Sequence, residues 1–149
     1  MKRIYFVLFA LVAFNSCKKD NQPAVKQEQL AGVWKATSAA VILSQKNIVF
    51  LRDSFALSTP EWREFRADGT GTIYDNLGTV ETFKYTVTGN QLLTTNRHIK
   101  SAEMDVNVAD LKFTIKKFDG TTLGLNSVLN NDANGLVSTE DKTVYYAKQ

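Results

Sequence analysis

The sequence contains little of the chemistry that disulfide scaffolds and many cofactor sites need. Its 149 residues include one Cys, one His, two Pro and eight Gly. A single Cys cannot form an intramolecular disulfide, and one Cys with one His cannot build a Cys/His zinc site. The 44% hydrophobic content is typical of one globular domain, and it argues against a disordered or collagen-like chain.

A long uncharged run lies at the start of the chain. Lys2 and Arg3 precede eleven residues, Ile4 to Phe14, whose one polar group is the Tyr5 hydroxyl. Eleven helical residues rise about 16 Å, roughly half of the ~30 Å hydrocarbon core of a bilayer. A basic start, a short apolar stretch and small residues after it predict a secretory signal over residues 1–16, rather than a transmembrane helix.

The lone Cys follows that apolar stretch directly. The segment Phe14-Asn15-Ser16-Cys17 resembles the lipobox of bacterial lipoproteins. The resemblance implies cleavage before Cys17 and acylation of its sulfur and of the new amine, with palmitate-like chains. Two or three acyl chains suffice for stable membrane anchoring, whereas one does not. The alternative is ordinary secretion with a free thiol near the terminus.

Residues 17–29 are predicted to be a lipidated tether. They are polar and lack periodicity. The twelve residues that follow Cys17 reach about 20 Å as a flexible chain. In the lipoproteins of two-membrane bacteria, an Asp directly after the Cys favours retention at the inner membrane. Lys18 stands there in this chain, so the resemblance implies an envelope protein held at the outer membrane.

From residue 30 to 149 the pattern is that of short strands. Phe83, Tyr85 and Val87 alternate with polar residues, as expected for strands with one buried face. The same alternation occurs at Met104-Val106-Val108 and Leu111-Phe113-Ile115. Turn pairs such as Asp68-Gly69, Gly89-Asn90 and Asp119-Gly120 separate such runs, and these pairs favour hairpins.

These runs predict an all-β fold. We expect strands at about 31–42, 61–67, 71–76, 79–88, 91–96, 102–108, 111–118, 121–128 and 142–148. Segment 45–58 is either a short helix over one end or a further strand. About eight strands in hairpin order predict a small up-and-down antiparallel β-barrel, which closes both sheet edges. A β-sandwich is the alternative.

A family resemblance begins at Leu30-Ala31-Gly32-Val33-Trp34-Lys35. Gly32 and Trp34 at the start of the first strand resemble the lipocalin signature, and segments 65–70 and 83–92 resemble lipocalin-like domains of bacterial lipoproteins. The resemblance implies that Trp34 plugs the closed end of a barrel and that Gly32 lets the chain pass close by. It also implies a basic cover over the Trp, here Lys142 or Lys148. Otherwise Trp34 is an ordinary core residue.

Candidates for catalysis are few. His98 lies in the polar run 95–98, which predicts an exposed loop. Glu103 and Asp105 share one face of a predicted strand, about 7 Å apart, but that face is expected to point to solvent. The sequence has no Gly-x-Ser-x-Gly elbow and no Gly-rich phosphate loop. We therefore expect no enzyme, no cofactor and no nucleic-acid partner.

Segment 130–141 has the spacing of a calcium loop. Oxygen side chains include Asn130, Asp132, Asn134 and Asp141, with Gly135 at the sixth position. The first ligand is Asn rather than Asp, and the last is the short Asp141 rather than Glu. A plain polar hairpin loop is therefore the main prediction here, and calcium binding is the alternative.

The leading hypothesis is a monomeric, membrane-anchored binding protein for a small apolar or amphipathic ligand. Barrel mouths are common ligand sites, and the candidate ligand-binding residues are Phe83, Tyr85, Phe113 and Ile115. The alternative is a structural or interaction lipoprotein of the envelope with a filled barrel. The formal charge of +3 belongs to the precursor, because removal of residues 1–16 leaves 16 basic against 15 acidic side chains.

Overall fold

The structure is a computed structural model, and it describes residues 24–59, 61–133 and 136–149. The predicted signal over 1–16, the predicted attachment site Cys17 and most of the predicted tether over 17–29 lie outside these residues. The described part of the chain contains one short helix, α1 (Gln27–Leu30). None of its helical structure is long and apolar enough to cross a membrane.

Ten strands make up most of the described chain. They are β1 (Gly32–Gln45), β2 (Ile48–Ala56), β3 (Glu61–Phe65), β4 (Thr70–Asp75), β5 (Val80–Thr88), β6 (Gln91–Lys100), β7 (Asp105–Val108), β8 (Leu111–Phe118), β9 (Thr122–Ala133) and β10 (Leu136–Lys148). Phe83 and Tyr85 in β5 are buried on either side of the exposed Lys84, which is the alternation that one wet and one buried face requires.

Eight of these strands close into an antiparallel barrel. Their order around it is β1-β3-β4-β5-β6-β8-β9-β10, and β10 returns to pair with β1 from Trp34↔Lys148 to Gln45↔Ser138. Strand β2 pairs with the second half of β1, and β7 pairs with β6, outside the ring. The predicted eight-stranded barrel is confirmed, and the sandwich alternative is excluded by the β1–β10 pairing.

The core fills the end of the barrel at which β1 begins. Its most deeply buried side chains are Leu30, Trp34, Phe65, Tyr85, Leu92, Ile115, Leu123 and Leu125. The strands of the ring turn alternate residues towards this interior, and α1 places Leu30 beneath it. This end is therefore closed by packing, and we call it the closed end.

Segment 45–58 is a strand rather than a helix. Lys46 and Asn47 both have positive φ, at 48° and 64°, and Gln45 pairs with Ile48 across them. Two central residues in the left-handed region form the tight turn that suits a two-residue hairpin. Of the two alternatives for this segment, the further strand is therefore confirmed and the helix is excluded, and the resulting strand β2 is exposed along its whole length.

Three other local predictions are corrected. The strand expected at 102–108 is shortened to β7, and Met104 and Val106 are exposed rather than buried. His98 lies within strand β6 and not in a loop. The hairpin loop expected over 130–141 is largely strand, because β9 and β10 stay paired from Thr122↔Ala147 to Ala133↔Leu136.

Candidate functional site

Trp34 and Gly32 lie at the closed end of the barrel. The Trp34 ring is fully buried, and its Nε1 donates a hydrogen bond to the Leu30 carbonyl at 2.7 Å. The Lys148 ammonium lies 5.2 Å from the centre of that ring, so Lys148 rather than Lys142 supplies the basic cover. Gly32 has φ 134°, and a Cβ there would come within 2.9 Å of the Lys148 side chain.

An aromatic layer lies directly above the closed end. Phe65 packs edge-on against Tyr85 at 4.9 Å and against Phe83 at 5.9 Å between ring centres. The Tyr85 hydroxyl donates to the Arg66 carbonyl at 2.7 Å. Burial raises the pKa of Tyr85, with a further contribution from the charge of Asp68. This layer forms the floor beneath the remaining interior space.

The interior above that floor is an open cavity of about 250 Å³. Its apolar wall consists of Ile73, Leu111, Phe113, Leu125 and Val144. Its charged groups are Glu61, Arg63, Glu81, Arg97 and Lys142, and Thr94, Ser127 and Tyr146 add hydroxyls. Of the four candidate ligand-binding residues, Phe113 lines this cavity, whereas Phe83, Tyr85 and Ile115 lie in the packed core.

Arg63 is the most unusual residue of the cavity, because its charged side chain is buried to 6% exposure. The guanidinium carbon lies 5.1 Å from the centre of the Phe113 ring and 5.4 Å from that of Tyr146. Its Nε and Nη1 have no hydrogen-bond partner among the described residues. Nη2 lies 3.7 Å from Glu61 Oε1, which is beyond hydrogen-bonding distance.

The carboxylates of the cavity are already engaged. Glu81 binds Arg97 through both oxygens, at 2.7 Å to Nε and 3.0 Å to Nη2. Glu61 accepts a hydrogen bond from the Tyr146 hydroxyl at 3.2 Å. Burial raises the pKa of Tyr146 far above its usual value, so this phenol stays protonated and remains a donor at neutral pH.

These charged residues were not among the predicted site residues. The sequence does indicate the inward position of the charged residues in β3 and β5. Glu61 and Arg63 stand an even number of positions before buried Phe65 along β3, so they lie on the same face of the strand. Glu81 likewise lies on the same face of β5 as buried Phe83. A charged residue on the strand face that points to the core is a candidate for function. Arg97 offers no such signal, since its inward position depends on a bulge in β6.

That bulge lies opposite Phe83. The β5–β6 register shifts between Thr82 and Lys84, and Asn96 has a positive φ of 49°. One extra residue exchanges the two faces of a strand. Thr94 before the bulge and Arg97 after it therefore both face the cavity, although their parities differ.

The other candidate sites do not assemble. Asn130 pairs with Thr139 and Asp141 with Val128, so these oxygens are spread along a hairpin ladder instead of converging as in a calcium loop. Asn134 lies outside the described residues. His98 contacts Asp105 at 2.9 Å on the barrel exterior. Over the described ranges no group of three or more His, Cys, Asp or Glu side chains could hold a metal ion.

Comparisons with known proteins give weak structural similarity alone. No family model matches the chain, and no curated protein does. A crystal structure of Rv2717c from M. tuberculosis is similar with a TM-score of 0.34 and 14% identity, covering 81% of this chain and 93% of that one.

Proposed function

We propose that this protein is a membrane-anchored, lipocalin-like binding protein that holds a small amphipathic ligand in its barrel and catalyses no reaction. The cavity of about 250 Å³ is the observation that carries this proposal. A barrel interior of this kind is a common ligand site when apolar walls surround a few polar groups. A filled interior would have supported the structural alternative instead.

The composition of the lining favours an amphipathic ligand over a purely apolar one. The wall offers aliphatic and aromatic surface, yet five charged side chains reach the same space. An apolar molecule would bury these charges without replacing their hydration, which is unfavourable. A molecule with one polar end and one apolar end satisfies both parts of the lining.

The position of the N-terminal segment is compatible with a lipid anchor at Cys17. Val25 is buried, and its backbone N–H donates to the Gly89 carbonyl at 3.2 Å, at the closed end. A tether from Cys17 would therefore join the barrel at the end opposite the cavity mouth. Such an arrangement leaves the mouth accessible while acyl chains hold the protein on the outer membrane.

Two measurements test the proposal, one for the lipid anchor and one for ligand binding. For the anchor, a Cys17→Ala variant should leave the membrane fraction, and its retention there would contradict lipidation at this residue. For the ligand, native mass spectrometry of protein purified from its own envelope should show a bound small molecule. A Ser127→Trp variant, which places an indole in the cavity, should lose that mass while keeping its circular dichroism spectrum. A bare wild-type chain would contradict the binding function.

One observation favours a second function. Strand β2 is exposed from end to end, with Ile48 at 72% and Phe50 at 63% exposure. Single exposed apolar residues are common, but several on one strand that pairs only along its β1 edge suggest an interaction surface. The alternative is therefore an envelope protein that presents β2 to a protein partner. Replacing Ile48 and Phe50 by Ser would then abolish partner capture while leaving the cavity ligand in place.

A further inference from the structure

We propose that the cavity selects an organic carboxylate and that Arg63 recognises its charged group. This inference rests on the proposed ligand-binding function and names the chemical class of the ligand. It depends on the state of the Arg63 side chain, on the charges around it and on its place above the aromatic layer.

Arg63 is a buried cation without a hydrogen-bonded partner. Burying an unpaired charge is costly, and buried arginines usually bind carboxylates, phosphates or backbone carbonyls. Here the guanidinium carbon lies 5.1 Å from the centre of the Phe113 ring and 5.4 Å from that of Tyr146, while Nε and Nη1 have no hydrogen-bond partner among the described residues. The two rings stabilise the cation, but a ring face replaces no hydrogen-bond acceptor, so these N–H donors still need one. Such an arrangement is suited to an acceptor that arrives from outside the chain.

The charges of the cavity favour an anion over a cation. Glu81 is neutralised by its two-point contact with Arg97. Glu61 Oε1 lies 3.7 Å from Arg63 Nη2, and it accepts its hydrogen bond from the Tyr146 hydroxyl and not from the guanidinium. Lys142 has no ion pair within 4.0 Å among the described residues, and it adds a second positive charge to the lining. The site therefore carries an excess of positive charge, with two carboxylates that would oppose a dianion.

The place of Arg63 along β3 defines the orientation of the ligand. The next inward residue towards the closed end is Phe65 of the aromatic layer, and the next towards the mouth is Glu61, whose side chain is 41% exposed. Arg63 is therefore at the base of the cavity. A ligand enters with its carboxylate first, and its apolar part then contacts Leu125 and Val144 on the wall. Since the wall is apolar, an organic carboxylate is favoured over inorganic phosphate or sulfate.

Isothermal titration calorimetry with three matched probes tests this inference. Octanoate, 1-octanol and octylamine share one chain length and differ in the polar group. The wild-type protein should bind octanoate, and bind 1-octanol and octylamine at least tenfold more weakly. Arg63→Met should weaken octanoate binding by about 10- to 100-fold, as expected when a charge-assisted hydrogen bond is lost. Arg66→Met is the matched control, because Arg66 contacts Glu64 on the outside of the barrel, and it should leave octanoate affinity unchanged.

The outcomes separate the inference from the proposed function. Equal affinity for octanoate and 1-octanol, or undiminished octanoate binding by Arg63→Met, would overturn carboxylate recognition while leaving ligand binding intact. Absence of octanoate binding would also overturn it, and native mass spectrometry of the envelope-purified protein would still decide the binding function. If Arg63→Met fails to fold, Glu61→Gln gives a second arm. This variant removes the carboxylate nearest Arg63, so it should tighten octanoate binding, and weaker binding would contradict the inference.

Discussion

Gly71 lies where two aromatic rings meet across a strand, and replacing it by Ala is a sharp test of the packing. Gly71 pairs with Phe65 on one side and with Phe83 on the other. A Cβ at this position would lie 2.3 Å from Phe83 Cζ, 2.4 Å from Phe83 Cε2 and 2.8 Å from the Glu64 carbonyl oxygen. Because the backbone φ of Gly71 is not in the left-handed region, the expected effect is steric alone.

The size of the effect follows from these distances. Carbon atoms in contact are normally about 3.5–4.0 Å apart, so the Phe83 ring must move by more than an ångström. Its neighbours Phe65 and Tyr85 are themselves buried, and the Glu64 carbonyl belongs to the strand ladder. Overpacking of a core typically costs about 1–3 kcal/mol. We expect Gly71→Ala to fall at the upper end, at about 2–3 kcal/mol, which lowers the Tm of a domain of this size by roughly 10 °C.

Chemical denaturation of four proteins measures this effect: wild type, Gly71→Ala, Phe83→Leu and the double variant. A leucine side chain lacks the two ring atoms that clash, so Gly71→Ala should cost at least about 1 kcal/mol less in the Phe83→Leu background. Gly78→Ala is the control, since Gly78 has φ 83° and open space around its Cβ, and it reports backbone strain alone at about 1 kcal/mol. Equal costs of Gly71→Ala in both backgrounds would refute the steric argument.

Three further predictions concern single side chains. Trp34→Phe should lower the free energy of unfolding by about 1–3 kcal/mol in urea, because the buried Leu30 carbonyl loses its donor; an unchanged value would contradict this role. Backbone and hydroxyl donors of Thr122 and Thr121 lower the pKa of Asp119 from 3.8 to about 2. Its stabilising contribution is therefore fully present above pH 3.8 and is lost as the pH falls towards 2. In Asp119→Asn the free energy of unfolding should therefore depend less on pH between 3.8 and 2, as measured by urea unfolding at several pH values. An unchanged pH dependence in this range would contradict the role of Asp119. Arg63→Met should stabilise the ligand-free protein by about 1 kcal/mol, since it removes a buried guanidinium whose Nε and Nη1 lack hydrogen-bond partners among the described residues and whose ion pair with Glu61 is long, at 3.7 Å; thermal melts without ligand measure this, and a lower Tm would show that the ring contacts and the Glu61 ion pair outweigh the cost of burial.

Local alternation explains how much of the fold could be predicted. Phe83 and Tyr85 in β5 and Phe113 and Ile115 in β8 face the interior, as their spacing predicts. The alternation at Met104 and Val106 is equally regular, yet both are exposed because β7 pairs with β6 outside the ring. Periodicity reports the two faces of a strand, but it does not report whether a core covers either face.

The candidate site was predictable only in part for the same reason. Phe113 was among the expected ligand-binding residues, and it lines the cavity. Phe83 and Tyr85 have the same pattern but belong to the packed layer, because depth along the barrel axis depends on strand stagger. The charged residues of the cavity were missed, and Arg97 in particular reaches it through the bulge at Asn96.

The scarcity of Cys and His by itself excluded a disulfide scaffold and a Cys/His zinc site, and the period-two pattern determined an antiparallel all-β domain. Those properties depend on residue type and on neighbours in the chain. The tertiary structure decided the closure of β10 on β1, the exclusion of β2 and β7 from the ring, and the burial of Arg63 close to two aromatic rings. They depend on contacts between residues far apart in the chain, and local spacing carries no record of such contacts.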